Sequence, residues 1–194
     1  MKLLTMLGGV GILGALYLFC MGCNQAPGKK STTHVSPKPV GTFSYRSSVS
    51  FADGKYSVDS SVITDNINLK ELYKNFNSDS LKLEYTKKAI PDFAVNFLSQ
   101  IKKKQFVLAD PKEDWEEGDV ISRPEKKYNK KLVFVGMRKD DIYLVFLQGG
   151  AFLSTKIYIL RTSANRVTDF WFESSADSIY TSKQLGAHLD KVLH

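Results

Sequence analysis

Cysteine is confined to two positions, Cys20 and Cys23, both in an N-terminal apolar segment. Everything after Cys23 is cysteine-free, which excludes disulfides, thiolate metal sites and cysteine nucleophiles from that part of the chain. Histidine is nearly as scarce. The three are His34, His188 and His194, far apart in sequence, so no ligand set for zinc and no base for a nucleophilic triad stands out. A phosphate-cradling loop is missing too, because Gly149-Gly150 lacks the glycine spacing and the lysine of a P-loop. No internal repeat is present. Cofactors and metals therefore find no motif here.

The net charge of +7 invites a nucleic-acid reading, but its distribution argues against one. Four of the 27 basic side chains (Lys2, Lys29, Lys30 and Lys38) stand in the first 40 residues, which carry no acidic one; 23 basic against 20 acidic side chains remain in the rest. That balance is too even for a field that gathers phosphates, so no nucleic-acid partner is expected.

The first residues carry the clearest message. Met1-Lys2 is a short positive start, and no charge follows from Leu3 to Gly22. About 20 uncharged residues can just span a bilayer. A signal peptide, with an apolar region of ~7–15 residues before a small-residue cleavage site, is the competing reading. The end of the segment favours the second. Phe19-Cys20-Met21-Gly22-Cys23 resembles the lipobox of bacterial lipoproteins, in which a small residue precedes a cysteine that is lipidated and becomes the new N-terminus. Gly22 and Cys23 match; Cys20 stands where that family usually has Leu, and Met21 where it usually has a small residue. The resemblance implies a signal peptide over residues 1–22, lipid on Cys23, and membrane anchoring. Asn24 after the cysteine, rather than Asp, implies an outer-membrane destination facing the periplasm. Residues 23–40 then read as a disordered tether, rich in Pro, Ser, Thr and Lys, with His34 a solvated member of it.

From residue 41 the pattern changes to that of a single α+β domain reaching residue 194. Val49–Phe51 and Tyr56–Val58 alternate around Ala52-Asp53-Gly54-Lys55, which predicts a hairpin. Asp65–Phe76 has helical periodicity, with Asn68 and Glu71 spaced as a capping box. Pro91–Lys104 is the clearest helix, its apolar stripe running through Phe93, Ala94, Phe97, Leu98 and Ile101 and its end closed by Lys102, Lys103 and Lys104. That lysine run is read as a helix end rather than as an acidic partner's site. Leu132–Met137, Ile142–Leu147, Lys156–Arg161 and Val167–Glu173 predict four strands with short links. Thr181 and Gln184 predict a capped last helix. The expected architecture is an antiparallel meander of about four to six strands packed with two to three helices.

Candidate sites are few. Asp110 to Asp119 holds six carboxylates in ten residues around Trp115. Its spacing does not fit an EF-hand, and neighbouring acids in one loop rarely reach the opposed placement a glycosidase needs. A solvated acidic loop is the expected role, with partner binding through Trp115, Glu116 and Glu117 as the functional one. In Phe170-Trp171-Phe172, alternation puts the phenylalanines toward the core and Trp171 on a half-covered outer face beside Asp169 and Glu173, a second partner-binding candidate. His188 lies between core positions Leu185 and Leu189 and is read as a helix-face residue. These features favour a non-enzymatic lipoprotein binding a protein or another envelope component. An immunity-type lipoprotein that neutralises an envelope toxin and a carboxylate-based hydrolase of envelope polymers are the alternatives.

Overall fold

A computed structural model describes residues 45–118 and 128–194. The expected signal segment, Cys23 and the tether lie outside these residues, as does Asp119. The domain is α+β. Strands β3 (Lys82–Glu84), β4 (Lys130–Arg138), β5 (Asp141–Gln148), β6 (Ser154–Ser163) and β7 (Arg166–Ser175) form one antiparallel sheet in that spatial order. A separate hairpin joins β1 (Val49–Ala52) to β2 (Lys55–Val58), its turn built on Asp53 and Gly54 at positive φ, the primed-turn geometry that matches strand twist. The helices are α1 (Ser60–Thr64), α2 (Leu69–Tyr73), α3 (Asp92–Lys102) and α4 (Ser182–Leu193).

The central strand explains the layering. Seven of the eight residues of β5 are buried, so both of its faces need cover. One face meets α3 and the segment after it: Phe97 packs edge-on against Phe170, and Phe106 against Phe146. We call this the α3 face. On the other, Tyr143 packs against Phe76, and its hydroxyl faces the Leu72 carbonyl of α2 at 3.5 Å. Here α4 closes in behind Phe76. A Cβ at Gly186 would lie 2.9 Å from the Phe76 ring, so glycine is what lets the helix approach. The capping box of α4 forms in full, with Gln184 N–H donating to Thr181 Oγ1 and Thr181 N–H to Gln184 Oε1.

Two local expectations need correction. The helix expected over Asp65–Phe76 is broken: Asp65 ends α1, Asn66 takes a left-handed φ of 53°, and a second short helix starts at Leu69. Asn68 makes no side-chain cap, because its amide is used inside the sheet's polar network instead. The sheet has five strands, within the expected four to six; its edge strand β3, three residues long, is too short to show periodicity in sequence.

Candidate functional site

The acidic segment lies along the edge of the sheet rather than looping free. Ala109 exchanges backbone hydrogen bonds with Lys130 and Leu132, and Glu116 N–H donates to the Tyr128 carbonyl at 2.8 Å. The main chain then passes so close to Gly149 that a Cβ there would sit 2.2 Å from the Glu116 carbonyl oxygen. Two of its carboxylates are used up in holding this path. Asp110 accepts from the Lys87 amide, and Glu113 accepts from both the Asp110 amide (2.8 Å) and Lys87 Nζ (2.6 Å). The Glu113 hydrogen bond, ahead of the opposing burial, lifts the Lys87 pKa above its usual value. Of the other three described carboxylates, Asp114 and Glu117 are exposed and Glu116 is half-buried.

Beside them, Trp115 is half-buried, with the Lys131 ammonium 5.7 Å from its ring centre. A groove of about 470 Å³ opens here, lined by Pro111, Trp115, Glu117, Lys131, Leu147 and Tyr180. Its lining is mixed, with an indole wall, apolar Pro111 and Leu147, and one charge of each sign from Glu117 and Lys131. That is a surface for recognition: an aromatic anchor sits beside residual negative charge. Among the described residues, no group of three or more His, Cys, Asp or Glu side chains is arranged to hold a metal ion.

Trp171 turns out differently. It is 1% exposed, on the face opposite Phe170, and its indole N–H donates to Asn66 Oδ1 at 2.9 Å. The expectation of a half-covered outer face fails because the sheet is covered on both sides, so period-2 alternation separates two interiors rather than inside from outside. Phe172, expected in the core with Phe170, is instead 40% exposed where α3 runs out. Trp171 therefore leaves the contact surface, and the Trp115 groove stands alone.

Sequence reasoning missed a buried polar knot. Asp141, Arg161 and Asp169 stand in one row across β5, β6 and β7. Arg161 Nε donates to Asp141 at 3.0 Å, and its terminal nitrogen to the Glu71 carbonyl at 3.2 Å. Asp169, fully buried, accepts from the Ser48 amide and hydroxyl, Asn68 Nδ2, its neighbour Phe170 N–H and the Tyr45 hydroxyl. Burial first, and then the hydrogen bond to Asp169, push the Tyr45 hydroxyl up to about 12. The signal that was present is a carboxylate within an alternating strand, with an arginine and a second carboxylate in the strands before it. His188 also works as a tie: it is buried on α4, with Nε2 3.0 Å from Glu173 of β7.

No family model matches the chain, and neither a curated protein nor a solved structure does.

Proposed function

We propose that this chain is a lipid-anchored protein of the bacterial cell envelope, held at the outer membrane facing the periplasm, whose domain binds a target without transforming it. The observation that carries the anchor is Gly22-Cys23 at the close of an uncharged apolar segment. A thiol is the natural nucleophile for a thioether-linked diacylglycerol, and more than one acyl chain on a residue makes attachment stable. Binding is supported by how the buried polar side chains are used: Asp141, Asp169 and His188 are all spent on joining secondary-structure elements. The Trp115 groove, flanked by outward carboxylates, suits a protein partner with a basic surface.

Labelling cells with a fatty-acid analogue tests the anchor. Wild type takes up label and Cys23→Ser does not; equal labelling of the two overturns it. For the groove, a photo-crosslinking amino acid at position 115 yields a discrete adduct with a lysine- or arginine-rich protein, sensitive to Glu116→Gln with Glu117→Gln. The same adduct from position 183, on the exposed side of α4, removes the groove from the proposal.

A further inference from the structure

The opposite face of the same sheet end carries the reverse charge. Lys130 of β4, Lys156 of β6, and Lys102 and Lys104 at the end of α3 converge there around the rings of Phe106, Tyr158 and Phe172. Lys102 Nζ stands 5.5 Å above the Tyr158 ring and 5.3 Å above that of Phe172. Lys102, Lys104 and Lys130 border a cavity of about 140 Å³ with Gln105, Gln148 and Tyr158. None of the four ammonium groups is ion-paired with a carboxylate among the described residues; Lys156 donates to Ser174 and Lys130 to Asn129 Oδ1. Burial, reinforced by Lys104 and Lys102, holds the Lys130 pKa below its usual value; burial and then Lys102 do the same to Lys156. Uncompensated charge of one sign is costly to gather, and an anion brought into it relieves that cost.

The adjoining loop supplies apolar reach. Lys130, Gln148 and Ser154 are cross-strand partners in one row, and residues 149–153 project beyond it. At their tip Phe152 is 87% exposed and Leu153 43%. The close approach of the Glu116 carbonyl to Gly149 and a bridge from Gly118 to Gly150 pin the root of this loop. Lysines beside outward Phe and Leu are the composition of a surface that enters the headgroup region of a bilayer: the ammonium groups meet lipid phosphates and the apolar side chains enter the acyl boundary.

We propose that the Lys102–Lys104–Lys130–Lys156 cluster and the Phe152-Leu153 tip together form a docking surface for an anionic phospholipid membrane, a contact made by the folded domain itself. It extends the envelope reading without requiring lipid on Cys23. Docking on this side leaves the Trp115 groove, on the other face, open to a partner.

The test is competitive partition of the full chain between phosphatidylcholine vesicles and vesicles that also contain phosphatidylglycerol, mixed in one tube. Both vesicle types offer the N-terminal apolar segment the same hydrocarbon, so the ratio reads the charge contact. Wild type prefers the anionic vesicles, and high salt erases the preference. Replacing all four lysines by Gln cuts it by about tenfold or more. Phe152→Ser keeps the preference but shortens residence on the anionic vesicles. A preference unchanged in the four-lysine variant comes from the tether lysines and overturns the proposal, as does a wild-type ratio near unity. Fatty-acid labelling at Cys23 is read separately, so failure of the anchor and failure of this surface are distinguishable. Lys102→Gln with Lys104→Gln, both at exposed positions, repeats the measurement with less at stake in folding.

Discussion

Trp115 and Trp171 look alike in sequence, each an indole among carboxylates, yet one lines a surface groove and the other is sealed under α1 and α2. The acidic neighbours diverge in the same way. Around Trp115 they remain outward or hold a loop, whereas beside Trp171, Asp169 is the hub of a buried network. Local composition does not tell an anchor from a core residue; what covers the strand does. The largest test follows at once. Trp171→Ala empties a core site and removes an indole hydrogen bond, so chemical denaturation is expected to show a loss of about 4 kcal/mol. A loss under ~1 kcal/mol would mean that the second face is not the packed interior described above.

Asp169 is the next divider. Asp169→Ala removes the acceptor of the Ser48 amide and the Tyr45 hydroxyl, and leaves the Asn68 amide with the Phe170 carbonyl alone. Removing one partner of a buried ionic network costs about 3 kcal/mol or more. The first elements to loosen should be the residues before β1 and the α1–α2 connection, because these are what Asp169 ties to β7. Amide exchange read residue by residue checks the order: Ser48 and Asn68 lose protection ahead of β5. Uniform loss would show the knot to be no local tie.

Alkaline pH probes the α3 face. Burial raises the Tyr158 pKa from its usual value to about 12. A group raised in the folded state contributes stability in full below its unfolded pKa of 10.0, and loses it as pH rises to 12. Moving the Tyr158 hydroxyl from 10.0 to about 12 corresponds to about 3 kcal/mol at most. Tyr73, and Tyr45 with more exposure, shift the same way, so stability falls over this window from several sources. Tyr158→Phe should flatten that part of the limb while changing neutral-pH stability little. An unchanged slope between pH 10 and 12 would show that Tyr158 ionises as freely in the folded protein as in the unfolded one.

Asn66→Ala is a smaller cut. It orphans the buried Trp171 N–H and replaces a residue at φ 53° by one less suited to it, a combined cost of about 1–2 kcal/mol. Asn66→Gly relieves the backbone and keeps the orphan. The difference between the two isolates the backbone part.

The sheet was legible because β4 to β7 are long, apolar and joined by short links, so strand existence and antiparallel pairing follow from pattern alone. The capped helix α4 was equally plain, because a capping box is a local hydrogen-bond device written in four residues. What escaped is what only tertiary context decides. Asn68 and Glu71 have capping-box spacing, but Asp169 offers the Asn68 amide a buried charge-assisted bond that outcompetes a surface cap. Phe172 has core chemistry but stands where α3 has already ended, so Lys102 covers it instead. The lysines that close α3 read as a helix end in sequence; Lys130 and Lys156 join them only through the register of a sheet more than twenty residues away. Trp115 stands apart from the apolar runs in sequence, but nothing in sequence places Gly149 or Tyr180 beside its loop.

Trp115 is half-buried with the Lys131 ammonium over its ring, a cation–π pair worth about 0.5–1 kcal/mol where water has access. The path of its loop does not depend on the indole: Asp110, Glu113 and the backbone bonds to Lys130, Leu132 and Tyr128 hold it. Trp115→Ala should therefore cost about 1–2 kcal/mol of stability, less than Trp171→Ala. Thermal unfolding of the two variants side by side measures the gap. Because Trp115→Ala stays folded, its loss of crosslinking or faster dissociation from a basic partner is then attributable to the groove, with a true anchor contributing about 2 kcal/mol or more to binding. If instead the two variants are destabilised alike, Trp115 is a core residue in its own right, and the groove beside it is a seam in the packing rather than a surface built for a partner.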